Sequence, residues 1–274
     1  MDLLAPAGPD RTPAQMILLD PQAKLVIGHR GNRAHAPENT LASLLEAVAL
    51  GVDAVEFDLQ VSLDGVLVVI HDATLDRTTH ASGPVAARTA AELGRLDAGA
   101  RFTSDGGRTF AWRGRGATIS TFDEVIESLP RDLPCIIELK TKASTELVRV
   151  AIRRHGIGKR VIVAGFDPAA TRPLIGAGFA LGASTPDVMR LLLPALLRLR
   201  VGPQPFQALC IPPRWHGIPV PIGALVRALR GSRTVTHVWT INDPARALQL
   251  WRLGVQGIIS DDPGLLLAAR GIGA

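Results

Sequence analysis

From Lys24 onward the chain alternates short apolar runs with longer stretches of helical spacing, and it completes this cycle eight times. The apolar runs are 24–28, 54–59, 134–139, 161–164, 179–183, 208–211, 237–240 and 257–260. Leu41, Leu44, Leu45 and Val48 follow the first run at helical spacing, with Asn39 or Thr40 placed to cap the helix and Gly51 just past its end. Helical patterns also follow at 143–155, 168–177, 186–199, 222–229, 244–253 and 263–270, and prolines after Asp167, Asp243 and Asp262 mark first turns behind acidic caps. Strands separated by helices pair in parallel, and eight such units closing on themselves form a TIM (β/α)8 barrel. The 274 residues suit that fold, which takes about 250. Residues 1–23 are proline-rich and aperiodic and read as a tail before a barrel domain at 24–274, with Met16 as a second candidate start.

One apolar segment does not fit the count. Val66–Asp72 (VLVVIHD) follows the second strand too closely to contain a crossover helix, so it is expected to fold back antiparallel through the Asp64-Gly65 turn and set His71 across from Asp58. It opens an insertion at about 60–116, glycine- and arginine-rich, expected as a small loop-rich lobe beside the barrel mouth.

The second strand, Ala54–Leu59 (AVEFDL), carries Glu56 and Asp58 two residues apart, hence on one face. Two carboxylates among apolar side chains repel each other and lose hydration unless a cation sits between them. Glu138 and Lys140 repeat the spacing in CIIELK, adding a third carboxylate and an ammonium group. In a barrel these groups and His29, Arg30, Trp239 and Asn242 lie at the C-terminal ends of strands and converge on one mouth. Three oxygen donors without a cysteine suit Mg2+ or Ca2+, with Mn2+ also compatible. Trp239 is placed to wall the pocket. His237 has the parity of a barrel-interior histidine.

Composition narrows the class. Apolar residues make up 47% of the chain and charged ones 20%, enough for a large core and against disorder. The basic excess is 26 arginines and 4 lysines, read as scattered and without interleaved aromatics, which does not describe a nucleic-acid interface. No secretory core precedes residue 14, and the most apolar helix, within 188–201, contains Arg190, Arg198 and Arg200, too interrupted to span a bilayer. Cys135 and Cys210 sit in apolar runs as buried thiols, in keeping with a cytoplasmic protein.

Taken together, HRGNRAHAPENT, VEFDLQVSLDGVLVVIHDATLDRTT, AELGRLDAG, IIELK, VWTIN and GVQGIISDDP resemble the glycerophosphodiester phosphodiesterase family from Lys24 almost to the C-terminus. The resemblance implies metal ligands at Glu56, Asp58 and Glu138, catalytic histidines at His29 and His71, phosphate contacts from Arg30 and Lys140, and an insertion between the second strand and its helix. It implies hydrolysis of a small-molecule glycerophosphodiester to an alcohol and sn-glycerol 3-phosphate, with two histidines as acid and base. The same chemistry would serve a lysophospholipase D or a lyase leaving a cyclic phosphate. A barrel that binds a phosphorylated ligand without catalysis is the reading from another class.

Overall fold

The computed structural model describes residues 14–273. Eight parallel strands form the barrel wall: β1 (Leu25–His29), β2 (Ala54–Val61), β4 (Cys135–Leu139), β5 (Val161–Ala164), β6 (Ala180–Leu181), β7 (Ala208–Ile211), β10 (Val235–Val238) and β11 (Gly257–Ser260). Their order around the sheet is β6-β5-β4-β2-β1-β11-β10-β7. Ala183 N–H donates to Ala208 O at 2.8 Å and Gln207 N–H to Leu181 O at 2.9 Å, joining β6 to β7 and closing the ring. The remaining strands lie outside the wall: β3 (Leu67–Val69), and a hairpin of β8 (Arg214–Trp215) and β9 (Ile218–Pro219) in the loop after β7.

Alternation along the strands sorts side chains into two layers. Leu25, Ile27, Ala54, Ile136, Ile162, Ala180, Ala208, Val235 and Ile259 fill the barrel interior. Val26, Val55, Phe57, Ile137, Val163, Leu209 and Ile258 point outward beneath the helices. Those helices are α2 (Leu41–Leu50), α4 (Phe122–Ser128), α5 (Ser144–His155), α6 (Pro168–Thr171), α7 (Thr185–Leu196), α8 (Ile222–Ala228), α9 (Pro244–Leu253) and α10 (Pro263–Gly273). Thr40, not Asn39, caps α2 by accepting from Ser43 N–H; Thr121 caps α4 in a reciprocal box with Glu124; Asp243 caps α9.

His237 is fully buried in the interior, below the mouth. Its ring occupies space that only a glycine on the neighbouring strand leaves free, since a Cβ at Gly257 would lie 2.2 Å from His237 Nδ1.

The expected elements are present, with local corrections. Part of the segment read as a tail is helix α1 (Ala14–Leu19), whose Leu18 is fully buried in the barrel-interior cluster; residues 1–13 lie outside the described residues. The 168–177 helix gives way to a 3-10 turn at Arg172–Leu174, where Pro173 has no N–H to continue the ladder. The seventh barrel strand begins and ends two residues earlier than expected, leaving Trp239 and Thr240 beyond it. The β2–β3 pairing is antiparallel as expected, but Leu59 faces Val69 and Ile70 N–H donates to Asp58 O at 3.1 Å. Ile70, not His71, is therefore opposite Asp58. The turn fixes the register, and a shift of one residue reverses every side chain.

That reversal has a consequence for the lobe. Leu67 and Val69 pack into the barrel's outer layer, while Val68 and Ile70 join Leu75, Val85, Leu93, Leu96 and Ile119 in a separate apolar cluster. Within the lobe lie a 3-10 turn at Val85–Ala87 and a short α-helix, α3 (Ala90–Leu93). Trp112 Nε1–H donates to His35 O at 3.0 Å, tying the lobe to the loop after β1 at the barrel mouth.

Candidate active site

β2 supplies Glu56 and Asp58 and β4 supplies Glu138, and carboxylate oxygens from all three lie within 4.8 Å of one another. Glu56 and Asp58 are buried. Burial, followed by repulsion from Asp58 and Glu138, pushes the Glu56 carboxyl well above its ordinary value; burial and Asp58 raise Glu138. Burial opposes ionisation of Asp58 too, but Lys140 and Arg30 prevail and hold it below the ordinary value. Lys140 Nζ is 2.9 Å from Asp58 Oδ1 and also bonds Glu138; Arg30 Nε is 3.0 Å from Asp58 Oδ2. Three carboxylates thus share two cations.

Asp58 is aimed by its neighbours. Asn39 Nδ2–H donates to Asp58 Oδ2 at 2.8 Å, and Asp58 N–H donates to Asn39 Oδ1 at 3.1 Å. Arg30 N–H donates to Glu56 Oε2 at 3.0 Å. Arg30 and Asn39 both adopt left-handed backbone, at φ 52° and 58°, a conformation that costs a non-glycine residue about 1 kcal/mol or more. The loop is held there by Ser43, whose hydroxyl donates to Arg30 O at 2.9 Å, and by Asn39 N–H donating to the same oxygen. Gly31 must be glycine: φ is +89°, and a Cβ would lie 2.4 Å from the Ser43 backbone.

Two imidazoles flank the cluster, each gripped through Nδ1 by a carboxylate. His29 Nδ1 is 2.6 Å from Asp261 Oδ1, leaving Nε2 facing Glu56 Oε2 at 3.9 Å. Asp261 is itself held by Asn242, which donates to it from Nδ2 and accepts its N–H. His71 Nδ1 is 2.6 Å from Asp72 Oδ1, and Arg77 clamps both Asp72 and Glu38. Glu38 also pairs with Arg30 and Arg33, and together these arginines keep its carboxyl ionised far below the ordinary value despite burial. Burial lowers the pKa of both histidines, more strongly than the nearby carboxylates raise it.

An aromatic wall closes the other side. Lys140 Nζ stands 5.9 Å from the Phe166 ring centre, and Phe166 packs edge-on against Trp239 (5.8 Å) and tilted against Trp215 (5.5 Å).

Residues 29–174 match the model of the glycerophosphoryl diester phosphodiesterase family. A glycerophosphodiester phosphodiesterase of Caldanaerobacter subterraneus subsp. tengcongensis is 33% identical over 249 residues, covering 89% of this chain and 96% of that protein. The chain belongs to the glycerophosphoryl diester phosphodiesterase family. It is thereby an enzyme of the phosphoric diester hydrolase class. Solved structures agree on the fold: the corresponding domain of a Mycobacterium tuberculosis protein superposes with a TM-score of 0.78 over 91% of this chain and 99% of that one, at 23% identity. A phosphodiesterase from Oleispira antarctica, solved with the product sn-glycerol-3-phosphate, is 27% identical, with a TM-score of 0.73 over 90% of this chain and 96% of that one.

For this family member, the residues singled out from sequence, His29, Arg30, Glu56, Asp58, His71, Glu138, Lys140 and Trp239, meet at one barrel mouth. Sequence reasoning missed several of the groups that hold them. Asp261 has the inward parity of Gly257 and Ile259, which was the available signal; Asp262 beside it, expected as a helix cap, accepts from His35 at 3.0 Å. Asp72, next to His71 in the sequence, was legible as a group that could orient its ring, and the structure places it there. Arg77, Phe166 and Trp215 gave no signal, because their loops are brought together only by the closed barrel.

Proposed function

We propose that the enzyme hydrolyses glycerophosphodiesters to an alcohol and sn-glycerol 3-phosphate, with His29 and His71 as the general acid–base pair and Arg30 and Lys140 as phosphate-binding cations. The observation that carries this reading is the pair of imidazoles, each fixed through Nδ1 by a carboxylate at 2.6 Å, beside three clustered carboxylates. The Oleispira phosphodiesterase, solved in complex with sn-glycerol-3-phosphate, supports the product assignment.

The carboxylate cluster fits a divalent cation. Glu56 is buried with its carboxyl driven toward protonation by its neighbours, so a cation that relieves this repulsion would hold it ionised. The nearest thiol offers no competing ligand: burial, with Glu138 and Glu56 nearby, pushes Cys210 up to about 12. An all-carboxylate set favours Mg2+ or Ca2+, with Mn2+ also compatible, held by Glu56, Asp58 and Glu138. When bound, the ion would stabilise negative charge on the phosphoryl oxygens and acidify an attacking hydroxyl.

The residues themselves account for the rest. Arg30 and Lys140, fixed against Asp58, draw the anionic diester to the cluster and stabilise the charge that grows on its oxygens. One histidine, entering neutral, accepts a proton at Nε2 from the attacking hydroxyl, either the glycerol 2-OH or water, and the other, entering as the imidazolium, gives its Nε2 proton to the leaving alcohol. Asp261 and Asp72 fix each ring's tautomer by accepting from Nδ1–H. Phe166 and Trp239 exclude water beside Lys140. Both cysteines are free, which supports a cytoplasmic location.

Exposed apolar side chains at the rim, Ile218 and Trp215, favour a second reading in which the leaving alcohol is lipid-bearing, as for a lysophospholipase D. A coupled assay for glycerol 3-phosphate on glycerophosphocholine, with and without EDTA, tests the first reading: release that EDTA abolishes is expected. No release from any glycerophosphodiester in the presence of Mg2+, Ca2+ or Mn2+ would reject it. Faster turnover of lysophosphatidylcholine would favour the second.

A further inference from the structure

Between Asp187 and Asp243 the chain has seven arginines, no lysine and no carboxylate. These arginines look dispersed along the sequence, but the fold collects them on one sector of the barrel wall. α7 packs along α8, and Val201 N–H donates to Ala228 O at 2.9 Å, laying the turn after α7 against the end of α8. Every one of the seven is exposed. Arg190 reaches Asp187 at 3.2 Å and Arg214 donates to Gly217 O. Arg198, Arg200, Arg227, Arg230 and Arg233 have no carboxylate partner among the described residues.

The same sector exposes apolar surface. Met189, Leu193, Leu196, Leu197 and Leu199 are 54% to 66% exposed. Met189, Leu193 and Leu196 recur at helical spacing on the outer face of α7, while Leu191 and Ala195 on its other face are buried. A helix apolar on both faces needs a partner for the second. At the mouth end of the sector, the β8–β9 hairpin adds Ile218, 70% exposed.

We propose that this sector, α7 with the turn after it, the β8–β9 hairpin and the outer edge of α8, seats the enzyme on an anionic lipid bilayer. Charge selects the occupant. Five unpaired guanidinium groups with no interspersed acid complement an anionic leaflet, where each basic residue near the surface raises partitioning about fivefold. The leucines enter the boundary between headgroups and acyl chains, as on an interfacial helix. No helix among the described residues is long and apolar enough to cross a membrane, so α7 lies in the plane of the surface. A second copy is a poor occupant, because a two-fold contact would set like charges against like with no acid to pair them. Nucleic acid would leave the α7 apolar stripe without a role. The inference does not depend on the catalytic reading, and its test uses no activity.

The test is co-sedimentation of the full chain with vesicles of phosphatidylglycerol and phosphatidylcholine, against vesicles of phosphatidylcholine alone. Binding to the anionic vesicles only, weakened by about 0.5 M salt, is expected. Arg198→Glu with Arg200→Glu should lower the partition coefficient at least tenfold, and Leu193→Gln with Leu196→Gln should lower it comparably; circular dichroism would verify folding. Arg153→Glu, on the distant helix α5, should change it less than threefold. Equal binding to both vesicle types, no binding, or an equal loss in Arg153→Glu would overturn the proposal. So would light scattering that shows a dimer dispersed by the leucine substitutions, which would give the surface to a second copy.

Discussion

Replacing His237 with leucine should flatten the dependence of stability on pH. The ring lies wholly inside the barrel, and burial pushes its pKa down from 6.5 to about 4. Above pH 7.5 it is neutral in both folded and unfolded chains and contributes nothing to the difference. Below pH 6.5 the unfolded chain takes up a proton that the folded chain refuses, so stability falls as pH falls, until the folded ring itself titrates near pH 4. At about 1.4 kcal/mol per unit, the 1.5 units between 6.5 and pH 5 cost the wild type about 2 kcal/mol. Leucine has a similar volume and does not titrate. His29 and His71 are also lowered by burial and add a loss of the same sign, but they are present in both proteins and cancel in the comparison. Urea unfolding at pH 8 and pH 5 measures the quantity. The wild type should lose about 2 kcal/mol more than His237→Leu between the two pH values; equal losses would refute the reasoning.

The catalytic assignments predict that His29→Ala and His71→Ala each lower kcat by about 10² to 10⁴, measured by steady-state release of glycerol 3-phosphate, with near-normal turnover in either one rejecting its role. His155→Ala should leave kcat within a few-fold, since His155 bonds Asp123 and packs on Phe122, remote from the cluster. Asp261→Asn, which removes the carboxylate charge facing His29 Nδ1–H, should lower kcat by about 10² while KM changes little; an unchanged kcat would deny Asp261 a positioning role. The pH–rate profile should be bell-shaped, with apparent values that belong to the histidine pair.

Period-two spacing and the rhythm of strand and helix made the barrel and its carboxylate-lined face readable in advance, because each depends on contacts within one or two elements. Glu56, Asp58, Glu138 and Lys140 share an inward face by parity alone, and the structure brings them together. What stayed hidden depends on how distant loops approach. Arg77 reaches Glu38 across 39 residues and Asp261 reaches His29 across 232, and no local pattern encodes either meeting. The β2–β3 register failed for a smaller reason: counting from the turn placed His71 opposite Asp58, whereas the hairpin pairs Leu59 with Val69. His71 still meets the site, one residue beyond the ladder. The arginines between Asp187 and Asp243 show the converse, a dispersed signal in sequence that the packing of α7 on α8 makes into one surface.

The central claim, that Glu56, Asp58 and Glu138 hold a divalent cation, is tested most directly by thermal melts across a metal titration. An ion that binds only the folded state stabilises it by about 2.7 kcal/mol at a hundredfold excess over Kd, which for a chain of this size should raise Tm by about 5 to 10 °C. With Mg2+ or Ca2+ the wild type should show that rise, and Asp58→Asn should lose it. An undiminished metal response in both Asp58→Asn and Glu138→Gln would contradict the account and place any bound ion elsewhere.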